Sequence, residues 1–86
     1  MIKIKRFTGV WCGPCRQLAP LFAELETSFP DVEFQTIDVD TSPEEVQENF
    51  ITSVPTVIIF KDGVAKQRYV GLQAKSMYVD TINSLI

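Results

Sequence analysis

The chain contains no histidine. That absence removes the usual general base near neutral pH, the commonest metal ligand and any Cys–His catalytic pair. Cysteine is also scarce: there are two, Cys12 and Cys15, whereas small secreted domains typically bridge about four or more. No apolar run approaches the roughly 18 residues a membrane span needs. Met1 leads into the alternation Ile2-Lys3-Ile4-Lys5 rather than the basic start and unbroken apolar stretch of a signal peptide. A cytoplasmic protein with no membrane association is expected. Positive charge is short as well, with a net charge of −3. The only basic cluster is Lys3, Lys5 and Arg6, which a solvated strand face explains, so no nucleic-acid partner is expected. Linkers, repeats and low-complexity segments are missing, and residues 1–86 read as one domain. A chain of this size buries only about 60–65% of its unfolded surface, which leaves little spare stability.

The pattern that is present alternates between two periods. Ile2 and Ile4 against Lys3 and Lys5 predict a strand over 2–7. From Pro14 to Phe29, Leu18, Leu21, Phe22, Leu25 and Phe29 fall at helical spacing and form one apolar stripe. Pro20 lies inside that helix and is expected to kink it. Residues 32–39 read as a second strand. Ser42-Pro43-Glu44-Glu45 predicts a short helix with Ser42 as cap, Pro43 in the first turn and Glu45 closing a capping box, carrying Val46 and Phe50. Thr56 to Phe60 is an apolar run suited to a strand buried on both faces. Asp62-Gly63 signals a hairpin into a polar edge strand over 64–70. A last helix is expected from Gln73, with Val79, Ile82 and Ile86 facing inward. The order βαβαββα is that of an α/β fold, a mixed sheet with helices on its faces.

The chemistry sits in Trp11-Cys12-Gly13-Pro14-Cys15, between the first strand and the first helix. At a helix N-terminus, unpaired N–H groups and the helix dipole favour negative charge, so the Cys12 thiol should ionise below the free value of about 8.5. Cys15 lies one turn on, within reach of a mixed disulfide on Cys12, and the spacing permits a bridge between them. Pro14 stiffens the turn. An inert pair of core cysteines and a purely structural disulfide are the bland readings, and so short a loop adds little stability when closed. Zinc needs four ligands and this chain offers two thiols, so no metal is expected; a metal or iron–sulfur cluster shared by a dimer is the variant left open. Trp11, at a loop beside the cysteines, reads as a border of the site.

These residues resemble the thioredoxin family. The Trp11–Cys15 motif is similar to the family's active site residue for residue, and Arg16-Gln17-Leu18-Ala19-Pro20 resembles the first turns of its active-site helix. Val54-Pro55 looks like the loop whose cis-proline faces the cysteines, Phe60–Gly63 like the family hairpin, and Gly71 like the glycine bordering its substrate groove. The resemblance implies a minimal thioredoxin fold of four strands and three helices, with sheet order 2-1-3-4 and the last two strands antiparallel to the first two. It further implies a protein-disulfide reductase in which Cys12 is the nucleophile and Cys15 resolves. Trp11, Gly13 and Pro14 would form the active-site loop, with Val54, Pro55 and Gly71 binding substrate. Disulfide-containing proteins would be the substrates, and a thioredoxin-reductase-like flavoenzyme the electron donor. No cofactor is expected, since the sulfur pair holds the two electrons, and the chain should act as a monomer.

Two departures from the family stand out. The chain is shorter than an ordinary thioredoxin, without counterparts of its first strand and helix, and its opening Ile4–Thr8 resembles a small glutaredoxin-like protein. The position five residues before Trp11, where thioredoxins carry a buried aspartate, is Arg6. A buried lone arginine is costly, so Arg6 is expected to point to solvent or pair with an acid, and Asp38 is a candidate substitute for the missing carboxylate. Two further functions share these features. A glutathione-dependent glutaredoxin-like enzyme fits Ser53-Val54-Pro55, although Val70-Gly71-Leu72 lacks the paired glycines expected near glutathione. A redox-independent binding subunit of a larger machine is the other.

Overall fold

The computed structural model describes residues 1–86. Its elements are β1 (Ile2–Thr8), α1 (Gly13–Ser28), β2 (Glu33–Asp38), α2 (Pro43–Glu48), β3 (Thr56–Lys61), β4 (Val64–Val70) and α3 (Lys75–Leu85). The strands form one sheet in the order β2-β1-β3-β4. β1 runs parallel to β2, placing Ile4 beside Phe34, and antiparallel to β3, placing Ile4 beside Ile59. β4 is antiparallel to β3. Two antiparallel steps restore the direction of β1, so only β3 opposes the first two strands, and the expectation that β4 would do so as well is wrong.

Alternation along the strands divides the core between the two faces of the sheet. On one face Ile2, Ile4, Val57, Ile59 and Tyr69 meet Leu18, Phe22 and Leu25 of α1 and Tyr78 and Ile82 of α3. On the other, Phe7, Ile37 and Ile58 lie beneath Val39, Ile51, Val54 and Phe60. β3 supplies both clusters, which is why its sequence is apolar without alternation. Tyr78 packs edge-on against Phe22 and Tyr69, with ring centroids 5.3 and 5.1 Å away. The Asp62-Gly63 turn places both residues at positive φ, 52° and 83°, as a tight two-residue hairpin requires. α1 continues through Pro20 without interruption.

Four expectations need correction. Lys3 and Lys5 share a face, but Arg6 follows Ile2 and Ile4 onto the opposite one, so the three cations form no common cluster. Lys5 is not merely solvated: its Nζ lies 2.9 Å from Glu45 Oε2 and over the Phe60 ring. That ion pair takes Glu45 away from the capping box, and Ser42 makes no side-chain capping bond. Phe50 falls beyond α2 at φ 54° and is 81% exposed, because the helix has already ended at Glu48. In α3, Tyr78 and Ile82 carry the burial, whereas Ile86 at the C-cap is exposed.

Candidate active site

The β1–α1 junction positions the cysteines. β1 ends at Thr8, and the main chain turns through a Cys12 N–H donated to the Gly9 carbonyl at 3.1 Å. Cys12 then caps α1, with φ −94° and ψ 111°. Gly13 and Pro14 form the first helical positions, where proline loses nothing because its N–H would have no helical partner. Cys12 and Cys15 are joined in a disulfide with Cα atoms 5.3 Å apart. Cys12 Sγ accepts the Cys15 N–H at 3.2 Å, so a free donor of the first turn is aimed at that sulfur. No acidic residue in the first turn opposes the positive end of the helix. The sulfurs are sheltered: Cys12 is 4% exposed and Cys15 2%.

The other candidate residues are tied to one another around Trp11 and Pro55. Trp11 is 63% exposed, yet the Nε1 edge of its indole is held in place. Its Nε1–H donates to Asp40 Oδ2 at 2.8 Å, and its indole lies so close to Gly9 that a Cβ there would sit 2.9 Å from Cε2. Trp11 and Val54 line one cleft of about 250 Å³ with Val39, Val46, Ile51, Thr52 and Ser53. The Val54–Pro55 bond is cis. Gly71, at φ 84°, donates its N–H to the Pro55 carbonyl at 2.8 Å, which draws the end of β4 against the proline loop. Gly13 faces open space. Sequence reasoning missed Gly9, Asp40 and Arg16, whose Nη2 donates to the Val10 carbonyl at 2.9 Å. A glycine two residues before a tryptophan is a legible sign of close approach; Asp40, far along the chain from Trp11, gives no local sign.

Arg6 is where the sequence reading was furthest from the structure. It is half-buried, with its guanidinium carbon 5.4 Å from the Phe22 ring centroid and its Nη2 donating to Thr36 Oγ1 at 3.1 Å. It neither points freely to solvent nor makes an ion pair. Burial lowers its pKa, and Glu26 partly offsets that. Asp38, the last residue of β2, accepts the Asp40 N–H on its Oδ1.

Comparison with known proteins decides the family. The Thioredoxin family model matches residues 2–84. The chain belongs to the thioredoxin family. It is 38% identical to a thioredoxin of Chlamydia trachomatis over 77 residues, which cover 90% of this chain and 76% of that one. Among solved structures, Fasciola hepatica thioredoxin superposes with a TM-score of 0.91 at 33% identity, covering 99% of this chain and 81% of that one. Oxidized mitochondrial thioredoxin 3 of Saccharomyces cerevisiae superposes with a TM-score of 0.90 at 32% identity, covering 98% and 78%. The sheet order and helix count are those of the thioredoxin fold. With a cysteine pair at disulfide distance in the family's motif, the chain is a thiol–disulfide oxidoreductase.

Proposed function

We propose that this thioredoxin-family chain reduces protein disulfides as a single 1–86 unit, with Cys12 attacking and Cys15 resolving. The observation that carries the assignment is the Cys15 N–H directed at Cys12 Sγ at the start of α1. That donor and the helix dipole stabilise a thiolate on Cys12, and the thiolate is the nucleophile in thiol–disulfide exchange. Cys12 thiolate attacks one sulfur of the substrate disulfide, and the other substrate sulfur leaves as a thiolate that takes a proton from water. Cys15 thiolate then attacks Cys12 Sγ. The mixed disulfide breaks, the second substrate sulfur leaves as a thiolate, and the Cys12–Cys15 bond forms. Two electrons pass from the pair to the substrate. An extended substrate segment pairs with the Val54 main chain as an added strand, beside Trp11 and bounded by Gly13, Pro14, Pro55 and Gly71. The reductant of the oxidised pair is a thioredoxin-reductase-like flavoenzyme of the cytoplasm, and the working form is a monomer.

The assignment of roles is tested by alkylating the reduced protein with limiting iodoacetamide at neutral pH and mapping the label by mass spectrometry. Cys12 is expected to be labelled first, and Cys15→Ser to accumulate mixed disulfides with substrate that Cys12→Ser does not form. First labelling of Cys15 reverses the two roles.

A further inference from the structure

The second step needs Cys15 without its proton, although Cys15 lies under protein rather than in open water. One face of α1 shows what surrounds it. Cys15, Ala19, Phe22 and Glu26 follow one another along the helix at spacings of three and four residues, and β1 directs Arg6 onto this stripe. An open-sided cavity of about 370 Å³ is lined by Cys15, Ala19 and Arg16 from α1, by Arg6 and Thr8 from β1, and by Gly9 and Val10. Its only charged members are the two arginines. Arg16 Nη2 is engaged by the Val10 carbonyl, while Arg6 Nε is enclosed and has no hydrogen-bond partner.

From this arrangement we propose that Arg6 is a positioning residue for the resolving step, holding Cys15 as a thiolate by its charge. A guanidinium cannot accept a proton, so its contribution is electrostatic rather than acid–base. A cation near a partly desolvated thiol favours the ionised form and lowers its pKa. The other charged groups around Cys15 do not cancel it. Arg16 adds to the positive field. Asp38, the last residue of β2, and Asp40 just beyond it keep their charges, but neither lines the cavity that Cys15 shares with Arg6. β3 presents the uncharged Thr56 and, before it, Pro55. Glu26 reaches Arg6 only at a distance and forms no ion pair with it, and burial pushes the Arg6 pKa down without removing its charge. In the mixed disulfide Cys12 carries no charge, so Arg6 acts on Cys15 alone. The Cys15 proton has gone to water before the attack, and the departing substrate thiolate takes one back.

The inference rests on Cys15 being the resolving cysteine, but its test does not. In a Cys12→Ser background, Cys15 is titrated alone by its ultraviolet thiolate absorbance. Arg6→Met is expected to raise the midpoint by about one pH unit, a tenfold loss of thiolate at low pH, and Arg6→Lys to retain most of the lowering. An unchanged midpoint in Arg6→Met overturns the proposal. So does an equal rise in Arg6→Lys, which would assign the effect to packing. Should Arg6→Met fail to fold, Arg6→Gln, which keeps a donor for Thr36, is read against the same two outcomes. With both cysteines present, the release of nitrothiobenzoate from a Cys12 adduct should show the same displacement of its pH profile in the Arg6 variant, and a superimposable profile rejects the role. A reversal of roles would appear in the alkylation map and leave the Cys15 titration readable.

Discussion

In glutathione buffers of graded ratio, the Cys12–Cys15 pair is expected to reach its midpoint on the thioredoxin side of the thiol scale. Thioredoxins poise near −270 mV and glutaredoxins at about −200 to −230 mV. A gap of about 50 mV corresponds to about 2.3 kcal/mol for a two-electron couple, or about fifty-fold in the equilibrium constant. At such a poise glutathione is a poor reductant of the pair, while a flavoenzyme drawing on NADPH is a good one. NADPH oxidation with a purified thioredoxin reductase should therefore be fast and turnover by glutathione alone slow. Arg6 acts in the opposite direction by favouring the ionised reduced form, and it sets how far above the thioredoxin value the midpoint lies. A midpoint within the glutaredoxin range, together with fast turnover by glutathione alone, would replace the proposed donor with glutathione.

Tyr78→Ala is expected to cost about 3–5 kcal/mol, measured by urea unfolding, because it removes a fully buried ring from the centre of the larger core. A chain of this length has about 4–13 kcal/mol in all, so the variant sits near the edge of folding. The ring contributes most of that stabilisation. Its hydroxyl is enclosed without a partner in hydrogen-bonding geometry. Burial raises its pKa, and the Gln73 backbone offsets this only in part. Tyr78→Phe should accordingly change stability by less than about 1 kcal/mol, in either direction, since it removes only a hydroxyl that has no hydrogen-bond partner to lose. A loss with phenylalanine as large as with alanine would show that the hydroxyl, not the ring, anchors α3.

The elements that were plain in the sequence are those whose residues answer to a single force. Ile2 and Ile4 alternate with lysines because one face of β1 meets α1. Val57, Ile58 and Ile59 do not alternate because β3 is covered on both faces. Asp62-Gly63 is a hairpin because both positions need positive φ. The redox pair was equally plain, because its chemistry depends on a helix start that the following residues announce. What escaped notice depends on partners distant in the chain. Glu45 suits a capping box until Lys5 competes for its carboxylate. Arg6 resembles its basic neighbours in sequence, but strand alternation turns it onto Phe22. Trp11 is held by Asp40 through a bond that no local pattern specifies.

The two walls of the cleft beside Trp11 differ in how firmly they are built. The β1–α1 side, which carries the sulfurs, is anchored by Leu18, Phe22 and Leu25 in the main core. On the opposite side, α2 is six residues long, buries none of them completely and leans on the Lys5–Glu45 pair. Segments with few buried apolar contacts open most readily, so α2 amides should exchange with solvent well before those of β1 and β3. The sulfur pair then sits on a stiff jaw that faces a yielding one. A yielding wall can adjust to substrate segments of different side-chain shape.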